Sequence, residues 1–262
     1  MPADEASLSV FDIGFQRGYG CFEAMRSYGG SIFRLGDHLS RLERSAAMLR
    51  IPLPDSASIE GWCRRAADGD CIVRVLVSGG TDARQVGTGS HIFVLAETVD
   101  AFSPDFSLQT RVAPWHSDGT IFELTGAKAL SYGFNLAATV AAREAGFDDA
   151  LLVGESGNVL EGPSYSIAWV REGNLATPAL ELGILESVTR RAVIETCRDE
   201  GIVVDTGSFP LPDLYEADEV FMMSTVREVW PVCLVDDRRF PPGPVTERIA
   251  DLFHRLVSRE LA

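Results

Sequence analysis

The 262-residue sequence predicts an α+β fold in two unequal lobes. Three observations carry this. Apolar runs of strand length come in pairs around glycine-containing turns, and longer segments show helical apolar spacing. One central stretch has no periodicity at all. At 46% hydrophobic residues the chain can build a packed core.

The elements follow in order. Residues 20–35, "GCFEAMRSYGGSIFRL", form a hairpin around Gly29-Gly30. "GDHLSRLERSAAMLRI" is a helix with its apolar stripe at Leu39, Leu42, Ala46 and Leu49. Two apolar strands follow, "CIVRVLVSGG" and "HIFVLAETV". "APWHSDGTIFELTG", from Ala113 to Gly126, is the aperiodic stretch and reads as an interdomain connection. An alanine-rich helix from Asn135 leads into "DDALLVGESGNVLEG" and "SIAWVREGNLATP", two hairpin-like pairs with Gly-Asn turns. The helix "ESVTRRAVIETCRDEG" ends at Gly201 as C-cap. The strands "DEVFMMST" and "EVWPVCLV" then precede a last helix from about Val245. The expected boundaries are a small N-terminal domain over 1–112, a connection over 113–124 and a large C-terminal domain over 125–262.

A net charge of −15 leaves no basic footprint for nucleic acid or an anionic membrane. The five cysteines are odd in number and scattered, with no CxxC pair and no Cys/His cluster at metal spacing, so no metal site is expected. They read as buried free thiols in a reducing compartment. The opening residues "MPADEASLSV" have neither a charged leader nor an apolar run, and no segment has the length of a membrane span. A cytoplasmic protein is expected.

Of the 23 Lys and Arg residues, only Lys128 is a lysine. Two explanations are open. A compositional bias toward arginine could have spared one position, or the position needs chemistry that arginine cannot perform. Only lysine loses its proton near neutral pH and attacks a carbonyl to form an imine.

The surrounding sequence resembles a known family. "SVFDIGFQRGYGCFEAMR", "RLGDHLSRLERSAAMLRI", "GAKALSYGFNLAATVAAREAGFDDALLV", "GNVLEGPSYSIAWVREGNLATP", "GILESVTRRAV" and "ADEVFMMSTVREVWPV" are similar, in order, to the motifs of the class IV aminotransferases. These are the fold type IV enzymes dependent on pyridoxal 5′-phosphate: branched-chain aminotransferases, D-amino-acid aminotransferases and 4-amino-4-deoxychorismate lyase. The resemblance implies a two-domain, D-amino-acid aminotransferase-like fold, that cofactor, amino-acid and 2-oxo-acid substrates, and a homodimer whose pocket takes residues from both subunits.

The resemblance makes Lys128 the Schiff-base lysine and the base that moves the substrate proton. It makes Glu161 in "VLEG" the carboxylate that keeps a proton on the pyridine nitrogen. Arg41 in "HLSRL", Val188 and Thr189 in "ESVTRR" and Thr225 in "MSTVREV" correspond to phosphate binders, the middle pair at a helix N-terminus. Tyr132 is placed to bond the cofactor's phenolic oxygen.

Substrate residues are matched through the position of the α-carboxylate. Arg84 in "VSGGTDARQVG" stands where D-amino-acid aminotransferases carry a carboxylate-binding arginine donated by the partner subunit. The companion tyrosine and histidine of that trap are Phe22 and Val86 here. Arg26 and Arg227 are further cations. In branched-chain enzymes the loop holding Val226 and Arg227 carries small residues whose amides receive an L-substrate carboxylate, and Arg227 would crowd that arrangement. A D-specific transaminase is therefore favoured over a lyase or a branched-chain enzyme. The sequence departs from the family pattern in having serine at 187, where glycine is usual, serine at 166, where asparagine is common, and a first strand that is shortened or lost.

Overall fold

Strand alternation explains the first sheet. In β1 (Gly20–Tyr28) the buried side chains Cys21, Glu23, Met25 and Ser27 alternate with half-buried Phe22, Ala24, Arg26 and Tyr28. The strand turns through Gly29 and Gly30, both left-handed at φ 55° and 88°, into β2 (Ser31–Ile32). Two positive φ values favour glycine and match the strand twist. β3 (Cys71–Ser78) pairs antiparallel with β1 and with β4 (Ile92–Glu97), giving the order β2-β1-β3-β4.

The computed structural model describes residues 5–99 and 104–262. The chain divides into two units, the first comprising the described residues of Met1–Asp100 with Gly126–Tyr132. In this unit α1 (Ile13–Arg17) is capped by buried Asp12, α2 (Leu35–Met48) packs on β1, and α3 (Ser56–Ala66) packs on β3 and β4. No strand lies between Glu5 and α1. The apolar stripe of α2 is as expected, with Leu39, Leu42 and Ala46 buried. α3 was not anticipated because its core signal is only Ile59 and Cys63, one turn apart around Gly61.

The second unit takes the described residues of Ala101–Thr125 and Gly133–Glu260. β5 (Ser107–Val112) pairs parallel with β6 (Asp149–Val153), and α4 (Gly133–Glu144) packs on both strands. β7 (Ser166–Arg171) and β8 (Asn174–Pro178) are a hairpin around Glu172 and Gly173, at φ 50° and 77°. Then come α5 (Val188–Asp199), β9 (Val204–Gly207), α6 (Leu211–Tyr215), β10 (Glu219–Ser224), β11 (Glu228–Val232), β12 (Leu234–Val235), β13 (Arg238–Arg239) and α7 (Pro244–Leu261). The two sheets run β11-β10-β7-β8-β9 and β13-β12-β5-β6. Leu108, Leu151, Ile167, Trp169 and Met222 share one core; Ala150 and Leu152, on the other face of β6, pack with Ala138 and Ala142 of α4.

Two differences from expectation have physical causes. Both hairpins foreseen after α4 form, the first closing through Gly154 N–H on the Asn158 carbonyl (2.9 Å), Leu160 N–H on the Leu152 carbonyl (3.0 Å) and the Val153–Val159 bridge, but β6 also pairs in parallel with β5, which the local pattern does not show. All five residues of β6 are buried, as in a strand paired on one edge in parallel and covered on both faces. The units also divide elsewhere than at 112 and 125. β5 belongs with β6, and 126–132 contacts β1 through a Cys21–Ala129 bridge.

Candidate active site

In the first unit Lys128 is stitched to the start of β1. Its carbonyl accepts the Phe22 N–H (3.0 Å), and its own N–H donates to Oγ of buried Ser45 on α2 (3.1 Å). Leu130 N–H donates to the Gly20 carbonyl (2.8 Å). This approach requires glycine at position 20, since a Cβ there would collide with the Val77 carbonyl and Leu130 Cδ1. Lys128 Nζ lies 4.5 Å from the centroid of the Phe22 ring, and Tyr132 meets that ring edge-on at 5.7 Å. Three residues matched separately from sequence, Phe22, Lys128 and Tyr132, are therefore neighbours.

Arg41 is buried, not on a solvated helix face. Strand alternation turns Glu23 inward between Cys21 and Met25, and a charge there must be paired. Arg41 supplies Nε to Oε1 (2.7 Å) and Nη2 to Oε2 (2.8 Å), while His38 Nδ1 meets Oε2 at 2.8 Å. Burial alone would raise the Glu23 pKa, but the Arg41 charge and hydrogen bonds, with His38, outweigh it and hold the carboxyl at about 2. Burial lowers the His38 pKa, which leaves a neutral ring donating to the carboxylate. This fork fixes the orientation of the Arg41 guanidinium.

In the second unit both Glu161 oxygens accept the Leu185 N–H, each at 3.2 Å, and His116 Nε2 lies 3.1 Å from Oε1. Ser187 caps α5, its Oγ accepting the Arg190 N–H (3.2 Å) at φ −71°, ψ 129°. That is ordinary extended backbone, so the position does not need the family's usual glycine. Val188 and Thr189, both buried, are the first two helical residues, whose N–H groups have no intrahelical acceptor. A helix start of this kind, with a hydroxyl on its second residue, suits a phosphate, and the donor-held Glu161 carboxylate suits a pyridinium N–H. The residues present fit the cofactor that the resemblance implies.

Thr225, Val226 and Arg227 form the three-residue loop between β10 and β11, which closes at Glu228 with φ 58°. The Arg227 N–H donates to Ser224 Oγ (2.9 Å), and its guanidinium carbon sits 4.8 Å from the Phe106 ring centroid. Arg26 lies over the Tyr28 ring at 5.1 Å. Arg84 is exposed in the β3–β4 loop, its N–H donating to Asp82 Oδ1 (2.8 Å).

Sequence reasoning missed Glu23, His38, Ser45, His116 and Leu185. The parity of β1 and the three-residue spacing of His38 and Arg41 on α2 were available signals. His116, in the aperiodic stretch, offered none.

The profile of the family described as Amino-transferase class IV matches residues 20–235. A D-alanine aminotransferase of Bacillus licheniformis is 28% identical, the match covering 100% of this chain and 96% of that protein. An aminodeoxychorismate lyase of Bacillus subtilis (strain 168) is 31% identical over 90% of this chain and 84% of its own length. The crystal structure of a branched-chain aminotransferase from the archaeon Thermoproteus uzoniensis, with norvaline, superposes with a TM-score of 0.87 at 30% identity, covering 98% of this chain and 91% of that one. The fold is that of the fold type IV transaminases. Matched over residues 20–235, the chain belongs to the class IV aminotransferases, enzymes that use pyridoxal 5′-phosphate.

Proposed function

We propose that this transaminase moves an amino group from D-amino acids to a 2-oxo acid. Lys128 Nζ would hold the cofactor covalently and, when free, would serve as the base that takes the proton from the substrate Cα. Bound pyridoxal 5′-phosphate supplies an electron-accepting ring that stabilises the charge left on Cα. Glu161 keeps the proton on the ring nitrogen. The N–H groups of Val188 and Thr189, the Thr225 hydroxyl and the guanidinium of Arg41 take the phosphate, and Tyr132 takes the phenolic oxygen. Phe22 forms a wall beside the lysine.

The observation that carries the D-preference is at the β10–β11 loop. The Arg227 amide is already bonded to Ser224 Oγ, and the Arg227 side chain is bulky, so the loop is poorly suited to receiving an L-substrate carboxylate through its amides. Arg84 is then the carboxylate partner, acting from the partner subunit of a homodimer, with Arg26 as the next candidate. A cytoplasmic location is part of this reading, supported by five free cysteines, the state of thiols in a reducing compartment.

The test is a panel of D- and L-amino acids with pyruvate and 2-oxoglutarate as acceptors. D-substrates should be the better donors. Arg84→Ala should lower their turnover by the roughly 2–5 kcal/mol of a lost charge partner, and Arg84→Lys should recover little. A preference for L-leucine or L-valine would reject the assignment. The second reading is a lyase, favoured by the Bacillus subtilis relative; formation of 4-aminobenzoate from aminodeoxychorismate would establish it.

A further inference from the structure

We propose that His116 is a positioning residue for Glu161, acting as a neutral donor through its Nε2–H. This rests on the role proposed above for Glu161 as partner of the pyridine nitrogen. Glu161 accepts the Leu185 N–H at both oxygens, so His116 Nε2, 3.1 Å from Oε1, must bring a proton to the contact. The other ring nitrogen, Nδ1, is buried and has no hydrogen-bond partner among the described residues. A proton there would be a buried, unreceived N–H, whereas a bare Nδ1 leaves only a lone pair. The geometry thus selects the Nε2–H tautomer.

The support behind the two donors is shared. His116 N–H donates to the Ala113 carbonyl (3.0 Å), Ser117 Oγ donates to the Leu182 carbonyl (3.4 Å), and Gly119 N–H reaches the same carbonyl (3.3 Å). Gly183 lies so close to Ser117 that a Cβ there would overlap its Oγ. The segments bearing His116 and Leu185 are therefore packed together, and together they fix the rotamer of the Glu161 carboxylate. Two donors held on Glu161 fix its carboxylate in one orientation and leave its remaining lone pairs to accept the N–H of the pyridine ring. The neutral imidazole achieves this without cancelling the negative charge that holds the pyridinium.

The experiment uses the wild-type chain and three variants. A long-range 1H–15N spectrum of the wild-type protein contains only four histidines, and His116→Leu identifies which signal is His116. The expected signal is that of the neutral Nε2–H form near pH 7.5. In protein loaded with 15N-labelled pyridoxal 5′-phosphate, His116→Leu should move the ring-nitrogen resonance toward its unprotonated position. It should also lower kcat about tenfold or more with KM little changed, the scale of a lost hydrogen bond to a charged group. His116→Gln retains a donor and should recover most of both. An Nδ1–H or charged ring, or a His116→Leu protein with wild-type ring-nitrogen position and kcat, would overturn the proposal. Glu161→Gln separates the two levels: if it too leaves the ring nitrogen protonated and kcat unchanged, the role of Glu161 itself is wrong. If Glu161→Gln responds and His116→Leu does not, only the role of His116 fails.

Discussion

Replacing Glu23 with glutamine should remove a pH-dependent part of the stability while keeping the shape of the side chain. In the native protein its carboxyl is held at about 2 against an ordinary 4.5, chiefly because Arg41 outweighs the cost of burial. At about 1.4 kcal/mol per pH unit, that difference amounts to about 3 kcal/mol of stability. The folded-state pKa is the depressed one, so this contribution is fully present above about pH 4.5 and is lost as the pH falls toward 2. Glu23→Gln also leaves Arg41 buried without its counter-charge, so the total loss near neutral pH should be about 3–5 kcal/mol. Urea unfolding of wild type and Glu23→Gln in the same cofactor state, at pH 7.5 and at steps down to pH 3, measures the gap between them. It should narrow by about 2 kcal/mol between pH 4.5 and 3, because titrations common to both proteins cancel. A gap below about 1 kcal/mol at pH 7.5, or one that stays constant on acidification, would refute the pairing.

Lys128→Ala should leave the fold intact and lower transamination by at least about 10²–10⁴-fold, and Lys128→Arg should not restore it, since the guanidinium keeps the charge but not the nucleophile. Borohydride treatment of the loaded wild type should fix cofactor to one peptide, that carrying the single lysine; label elsewhere would exclude the assignment. Ser187→Ala should cost about 1 kcal/mol in thermal or urea unfolding through loss of the α5 cap, while Ser187→Gly should cost only a few tenths; equal losses would mean that the Oγ bond to Arg190 is not what holds the helix start.

Much of the fold could be read from local pattern. The apolar stripe of α2, the Gly29-Gly30 hairpin and the Gly201 terminator of α5 each depend on residues close in sequence. What failed was long-range pairing. Nothing in "DALLV" says that it also pairs with β5, more than thirty residues earlier, except that all five side chains are apolar or buried, a cue equally consistent with a hairpin alone. Residues 126–132 likewise return to the first unit because of hydrogen bonds to Gly20, Phe22 and Ser45, none of which is local.

The candidate site divides along the same line. Lys128 is marked by its uniqueness, and Glu161 and Thr189 by the motifs around them, because chemistry constrains a residue's type. Their supports are constrained only by geometry. Glu23 is the intermediate case: with Cys21 and Met25 buried, strand parity sends Glu23 inward, and a buried carboxylate must find a cation. His38 and Arg41, three residues apart on one face of α2, answer that demand, and only the docking of α2 onto this face of β1 was missing from the sequence. His116 has neither parity nor periodicity. Its identity becomes meaningful only when Ser117 and Gly119 are seen bonded to Leu182, which carries the imidazole to Glu161. Where a residue acts by holding another in place, the sequence can state the need, but the partner is chosen by packing.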